Sequence, residues 1–386
     1  MRLLLDHAYA NVPMYRRLYD EAGFHPSHFR SLADLKAIPP LTKEYFQHTP
    51  AGERVAAGTD LEKCRTVRTS GSTGAPLQIA FGPSDVRWQR AVAWRILFEN
   101  GFRWTDRTME IRVKCQQPHF LQRFGIAPKD WVSLLDPPQR WVDVFLDEKP
   151  GVVVAGAGTL HALAEALLER GARHVPGLVV SDSETLAPAT RTLVREALGC
   201  DPCDVYGLEE MSNFAWQCEV RGGFHVSEDS HLVEVDAPPG KAGPLTATAL
   251  LSRTTPMIRY ETGDWAERAA EPCPCGRTPG LLASIHGRSV DSIALADGSK
   301  IFWPFFHTVL GDRTELARWR VVQTTPLSLR LEFQPLPGHQ VDADELQNLL
   351  ASKLPAGLGV QARQVDIPIL AGTKFRPVVA LSEGGG

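Results

Sequence analysis

The segment Arg68-Thr-Ser-Gly-Ser-Thr-Gly-Ala-Pro76 crowds hydroxyl side chains and glycines into nine residues. Glycine lets a backbone approach an anion closely, and Ser and Thr hydroxyls donate hydrogen bonds to oxygen. Such a loop can cradle a polyphosphate. It is not a Walker loop, because no Gly-Lys-Ser/Thr follows at the required spacing. Read alone, it is equally a flexible polar turn. A strand is expected after it, over Leu77-Gln-Ile-Ala-Phe81.

Four further segments carry groups that can do chemistry: Val205-Tyr-Gly-Leu-Glu-Glu210, Met257-Ile-Arg-Tyr-Glu-Thr-Gly-Asp264, Ile285-His-Gly-Arg-Ser-Val-Asp291 and Ala371-Gly-Thr-Lys-Phe-Arg376. The first ends in an acidic pair and the second in a Gly-Asp turn. Cys218 and His225 are seven residues apart, and Glu271-Pro-Cys-Pro-Cys-Gly-Arg277 resembles a zinc knuckle. Cys218, His225, Cys273 and Cys275 together make a Cys3His set, a closed structural zinc combination with no open position for catalysis. The alternative is a group of reduced thiols beside a loop histidine. Cys64, Cys115, Cys200 and Cys203 read as small apolar residues, and Cys200-x-x-Cys203 is a weak redox signal.

The elements that must position these groups follow from patterning. A chain of 386 residues suffices for a large core and usually for two domains. Its 43% hydrophobic and 22% charged content is ordinary for a globular protein, and a formal charge of -4 gives no nucleic-acid footprint. The longest apolar run, 151–168, contains His161 and Glu165, so no membrane span is expected. The start is too short and too soon charged for a signal peptide, and a cytoplasmic location is expected.

Residues 1–50 read as short amphipathic helices closed by Pro39-Pro40. A helix is expected over 84–100, capped by Ser84 or Asp85. Strand 151–155, helix 159–170, strand 178–180, helix 188–198 and strand 204–206 alternate, which predicts a largely parallel sheet covered by helices. Gly171 and Gly199 end the two helices. Between 222 and 260 the pattern becomes short strands, read as an antiparallel sheet or small barrel attached to that layer. After a break near 287–300 comes a small α+β unit. Its strands are expected at 319–323 and 327–333, with Leu327, Leu329, Leu331 and Phe333 alternating. A helix is expected at 342–354 and a last strand at 375–381. The expected domains are 1–287 and a mobile lid, 288–386.

Taken in order, the phosphate-type loop, Tyr-Gly-x-x-Glu, Tyr-x-Thr-Gly-Asp, Gly-Arg and the late Gly-Thr-Lys resemble the acyl-adenylate-forming superfamily. Within it the chain most resembles phenylacetate-CoA ligase and related capsule-biosynthesis proteins. The likeness extends to Asn11-Val-Pro-Met-Tyr15 and Leu41-Thr-Lys43. It implies activation of a carboxylic acid as acyl-AMP with ATP and Mg2+, then transfer to a thiol such as coenzyme A, with an amine acceptor as the alternative. A nucleotide-binding relative without catalysis is a further reading. The likeness puts Ser70, Gly71, Ser72, Thr73 and Gly74 on the β- and γ-phosphates and Glu210 on Mg2+. It puts Tyr206 and Gly207, with Ser183-Glu184, beside the adenine, although Asp182 stands where a glycine is usual. Asp264 would accept from the ribose hydroxyls and Arg288 would reach the ribose or phosphate. Lys374 would offset charge growing on the α-phosphate. Glu210 as a helix cap, Asp264 as a turn former and Lys374 as a solvated lysine are the plain alternatives. Thr373 separates Lys374 from its glycine, and Leu77 stands where a lysine often follows the loop's proline. The acid pocket is expected among Trp88, Trp94, Arg95, Arg112, Phe214 and Trp216, with Phe214 and Trp216 preferred and an aromatic acid favoured. The expected partners are a small carboxylic acid and its acceptor, with no nucleic acid or membrane, in a monomer or homodimer.

Overall fold

The structure is a computed structural model that describes residues 1–68, 77–113, 120–278, 280–288, 292–295, 300–310, 313, 315–336, 338–367 and 378–380. The chain divides into two compact units. The larger comprises Met1–Leu186, Thr190–Thr262 and Ala266–Ser284, and the smaller Ala187–Ala189, Gly263–Trp265 and Ile285–Gly386.

The N-terminal segment forms α1 (Arg2–Asn11), α2 (Pro13–Glu21) and α3 (Lys43–His48). Pro13 opens α2 at a position where a missing N–H costs nothing. Thr42 caps α3, its hydroxyl accepting from Tyr45 N at 3.0 Å. Tyr15 is fully buried. Its phenol donates to Pro256 O and accepts from Ile258 N, both at 2.9 Å. Leu41 N donates to Arg259 O at 2.8 Å, and Glu261 N donates to Leu41 O at 3.0 Å. The two early motifs therefore clamp the segment that leads into Tyr260.

An antiparallel ribbon of β1 (Arg65–Arg68) and β2 (Gln78–Phe81) precedes α4 (Pro83–Glu99). Asp85 does not occupy the cap position, which falls to Gly82. It sits three residues in, and its buried carboxylate accepts from the backbone of Gly82 (3.1 Å), Arg253 (2.9 Å) and Thr254 (3.2 Å). One side chain thus satisfies the start of α4 and ties it to a distant turn.

The alternating region contains β3 (Thr108–Arg112), β4 (Lys129–Ser133), α5 (Pro138–Glu148), β5 (Val152–Gly156), α6 (Ala157–Arg170), β6 (Leu178–Asp182), α7 (Pro188–Leu198) and β7 (Cys203–Leu208). Then follow β8 (Ser212–Gln217), β9 (Phe224–Val226), β10 (His231–Val235), β11 (Ala242–Ala249), β12 (Tyr260–Arg268) and β13 (Leu281–Arg288). All but the ribbon join one eleven-stranded sheet in the order β10-β11-β12-β13-β9-β8-β7-β6-β5-β3-β4. The antiparallel strands extend the parallel ones edge to edge rather than forming a barrel. Val153, Ala155 and Val179 pack under α5 and α6 on one face. Val152, Val154 and Val180 pack under α4 on the other. Both faces are covered, which is why these strands read as unbroken apolar runs.

The smaller unit contains β14 (Ser292–Ala294), β15 (Lys300–Phe302), α8 (Trp303–Leu310), β16 (Leu316–Thr325), β17 (Ser328–Pro335), α9 (Ala343–Lys353), β18 (Gly359–Gln364) and β19 (Val378–Val379). Four of its strands form a sheet in the order β18-β17-β16-β19. Leu329, Leu331 and Phe333 are buried against α9 as the alternation requires. Leu327 departs from it, because it lies in the turn between β16 and β17 and is 55% exposed. Of the expected last strand, Val378–Val379 pairs with β16, and 375–377 and 381 lie outside the described residues.

Candidate functional site

Two sites take shape on the larger unit. The first is the cysteine–histidine cluster. β8 ends at Gln217, and the Cys218–Arg221 turn closes with Arg221 N donating to Cys218 O at 3.0 Å. β9 then returns beside β8, setting His225 against Trp216. Gly223 is obligatory in that return, since a Cβ there would meet Leu282 O at 2.7 Å. The second turn, Cys273 to Gly276, brings two more sulfurs to the same point. The four donor atoms lie within 4.8 Å of one another. Cys218 and His225 are fully buried and Cys273 nearly so. Cys218 Sγ is 3.7 Å from Cys273 Sγ, and Cys275 Sγ is 3.3 Å from His225 Nε2. A tetrahedron of sulfurs about 2.3 Å from a zinc ion has edges of about 3.7 Å, shorter where an imidazole nitrogen takes a corner. Donor types and spacing therefore fit zinc.

Arg277 fastens this cluster. It donates to Glu99 Oε2 at 3.0 Å and to both Glu219 oxygens at 2.9 and 2.8 Å, and lies over the Trp216 ring. Trp216, expected in an acid pocket, thus belongs to the cysteine–histidine cluster. Cys203 is also buried and packs in the same core as Cys218 and Cys273, but is not one of the four converging donors; burial pushes its thiol up to about 12, and it donates to Gln217 O at 3.0 Å. Cys200 and Cys203 are unbridged, and burial raises both thiols, so neither has the low-pKa thiolate that redox chemistry needs. Cys115 lies outside the described residues.

The second site lies at the β7–β8 hairpin. Tyr206 and Gly207 occupy β7, where the pairing register shifts between them. A Cβ at Gly207 would lie 2.5 Å from Ser212 O and 2.6 Å from Asn213 Cα, so this position admits only glycine. The tight crossing carries the chain to Glu209 and Glu210. Glu210 is buried and accepts from the Tyr260 hydroxyl at 3.1 Å. Burial, and then the neighbouring Glu210, raises the Glu209 carboxyl above its usual value. The bond from Tyr260 joins two of the motifs directly, and Tyr260 is itself held through Leu41 by strand pairing.

A cavity opens beside Glu210, walled by Phe81, Trp88 and Val92 on one side and by Met211, Asn213 and His231 on another. It encloses about 30 Å³, against about 150 Å³ for a cavity that takes benzene. An aromatic acid needs a wall residue to give way, and Trp88 is the exposed one, at 50%. Phe214 is fully buried elsewhere, stacked on His231 at 4.8 Å and edge-on to Tyr206 at 5.3 Å. It supports the wall from behind. Burial lowers His231 to about 4. Its Nε2 faces the Met211 carbonyl at 3.2 Å, which requires the proton there, so Nδ1 accepts from Ser230. Trp94 packs with Phe98, Phe102 and Trp104, and Arg95 pairs with Asp229; neither lines the cavity.

Ser183 and Glu184 follow β6. Ser183 has a φ of 67°, and Glu184 Oε2 accepts from Gly158 N at 2.9 Å in the first turn of α6. Asp182 is gripped by Arg112 through both oxygens at 2.9 and 2.6 Å. Arg112 also donates to Glu110 at 3.0 Å, which takes Lys129 at 2.6 Å. Arg112 and Asp182 end β3 and β6 at the carboxyl edge of the parallel strands, where ligands of open α/β sheets bind, while Glu110 and Lys129 lie back along β3 and at the start of β4. Arg112 is committed there and lines no part of the cavity.

Asp264, buried in β12 after Gly263 at φ 77°, falls in the smaller unit. Arg288 ends β13, and nothing is described of its side chain. Ser70, Gly71, Ser72, Thr73, Gly74 and Lys374 lie outside the described residues.

No family model matches the chain. The phenylacetate-coenzyme A ligase of Thermus thermophilus is 31% identical over 316 residues, covering 76% of this chain and 70% of that protein. The chain belongs to the phenylacetate-CoA ligase family. The enzyme of the same name from Aromatoleum evansii is 24% identical over 92% of the chain and 86% of its own length. Among solved structures, 2-hydroxyisobutyryl-CoA ligase in the postadenylation state, with an acyl-AMP bound, superposes at TM-score 0.81 with 22% identity, covering 98% of this chain and 87% of its own. An anthranilate CoA ligase in complex with anthranoyl-AMP gives 0.62 with 17% identity over 83% and 66%. Both share the fold. The family is one of acyl-adenylate-forming acid–thiol ligases, as the motif order implied. No helix among the described residues is long and apolar enough to cross a membrane.

Proposed function

We propose that this chain activates a small carboxylic acid, aromatic or similarly planar, as its acyl-AMP at the expense of ATP, then passes the acyl group to the thiol of coenzyme A. Family membership over three quarters of the chain carries the reading. The geometry adds a buried carboxylate, Glu210, held by Tyr260 at the wall of a cavity.

In this reading the acid enters the cavity beside Glu210 with its carboxylate toward the nucleotide. A carboxylate oxygen bonds to the α-phosphorus as the bond to the pyrophosphate oxygen breaks. Ser70 to Gly74 hold the outer phosphates, Tyr206 and the Ser183-Glu184 turn flank the base, and Asp264 accepts from the ribose. Glu210 would offer the hard oxygen that Mg2+ prefers, and the ion would supply neutralisation of phosphate charge. Lys374 and Arg288 act from the smaller unit. In the second step a thiol sulfur bonds to the acyl carbon and AMP leaves. Cys218, His225, Cys273 and Cys275 would hold a structural zinc ion that fastens the β8–β9 turn to the 273–276 turn.

Pyrophosphate exchange over a panel of aryl and alkyl acids tests the first step, and mass spectrometry of products formed with coenzyme A or with amines identifies the acceptor. Acid-dependent exchange together with an acyl-CoA product is expected. Exchange without a thioester product would remove the proposed acceptor, and absence of exchange with every acid would remove the adenylation reading.

A further inference from the structure

Several polar groups that line the cavity beside Glu210 are already committed. Asp85 accepts three backbone N–H groups. His231 is held by Met211 and Ser230, and Ser252 donates to Thr255 O. Three others are different. Arg65 donates to Gln89 Oε1 at 2.6 Å. A guanidinium can only donate, which fixes the Gln89 amide and leaves its NH2 as a donor without a partner among the described residues. The Ser212 hydroxyl and the Asn213 amide likewise have no hydrogen-bond partner among the described residues, and both line the same space. Ser212 is held at a φ of 67° by the hairpin, which sets where its hydroxyl points.

A ligand that fills this space strips water from those three groups. A hydrocarbon group would leave them unpaired, whereas a hydroxyl or amine would pair them. Opposite them stand Phe81, Val92 and Leu251, an apolar wall for the carbon frame. We infer that the cavity selects acids bearing a hydrogen-bonding substituent, a hydroxyl or an amine, over their unsubstituted counterparts, with Gln89, Ser212 and Asn213 as the specificity determinants. This deepens the proposed adenylation reading and rests on it.

The test is pyrophosphate exchange by the full chain with matched acids: phenylacetate against 4-hydroxyphenylacetate, benzoate against aminobenzoates, and a branched alkanoate against its 2-hydroxy derivative. In at least one pair the substituted acid should exceed its partner by about tenfold or more in kcat/KM. Gln89→Leu and Ser212→Gly should each pull that ratio toward one. Glycine suits the φ at position 212, so the second variant should fold even if the first does not. The inference is overturned if the plain acid equals or exceeds its partner in every pair, or if the ratio survives in both variants. Exchange supported by plain acids alone sinks this inference and leaves adenylation standing, while exchange with no acid sinks both.

Discussion

Glu210 and Tyr260 lie fifty residues apart in sequence, and one hydrogen bond joins the motifs that carry them. Glu210→Gln keeps a group able to accept from Tyr260 but removes the charge that would hold Mg2+. Pyrophosphate exchange should fall about a hundredfold, with the melting temperature little changed. An unchanged Mg2+-dependent rate would remove the metal role. His231 gives a pH signature. Its folded value of about 4 lies below the ordinary 6.5, so the unfolded chain binds the extra proton first. The stability present above pH 6.5 is lost as pH falls toward 4, on the order of 3 kcal/mol. Urea midpoints at pH 7 and pH 5 should differ more for the native chain than for His231→Phe. At this scale the sequence was most legible where chemistry and spacing coincide. The Cys3His set converges as its residue types suggested. The acid wall was less legible, because which face of β8 meets the cavity depends on the register shift at Tyr206. That shift sets Phe214 behind the wall and Trp216 at the cysteine cluster.

Elements set how those residues meet. The zinc assignment belongs here, since the proposed ion would staple the β8–β9 turn to the segment before β13. Purified protein should carry about one zinc per chain by elemental analysis, and Cys273→Ser should lose it. Chelation should lower the melting temperature by about 4 °C or more while leaving the residual folded enzyme able to adenylate. Chains with no zinc would end that assignment. The alternation of strand and helix from 151 to 206 was readable because each parallel strand is buried on both faces and each helix ends in a glycine cap. β3, β4 and α5 escaped it: Thr108–Arg112 and Lys129–Ser133 carry charged residues that pair with each other at the sheet's edge and dilute the apolar run. The antiparallel strands read as a separate sheet or barrel because their short, turn-separated pattern is the same whether or not an edge is shared with β7.

The chain folds as two compact units, and the role proposed for Lys374 belongs to the smaller one. Lys374→Ala should reduce acid-dependent pyrophosphate exchange about a hundredfold, yet leave thioester formation from preformed acyl-AMP largely intact. Equal loss in both assays would mean a general structural role instead. The sequence places its boundary at 287/288, in the Gly-Arg segment where the pattern changes character, whereas the smaller compact unit also takes in 187–189 and 263–265. The early Tyr15 motif was recognisable only as part of a resemblance. Its physical purpose, a phenol oxygen bonded to both Pro256 and Ile258, needs the three-dimensional pairing.

That pairing bears on synthesis. His7, Tyr15 and Leu41 are synthesised before their partners Arg253, Pro256, Ile258 and Arg259, which follow more than two hundred residues later. At about 5–20 residues per second the wait is roughly ten to fifty seconds. During that interval Tyr15, fully buried in the finished protein, can rest on Tyr19 but lacks both backbone partners of its phenol, so the native burial of that hydroxyl waits on the 253–259 segment.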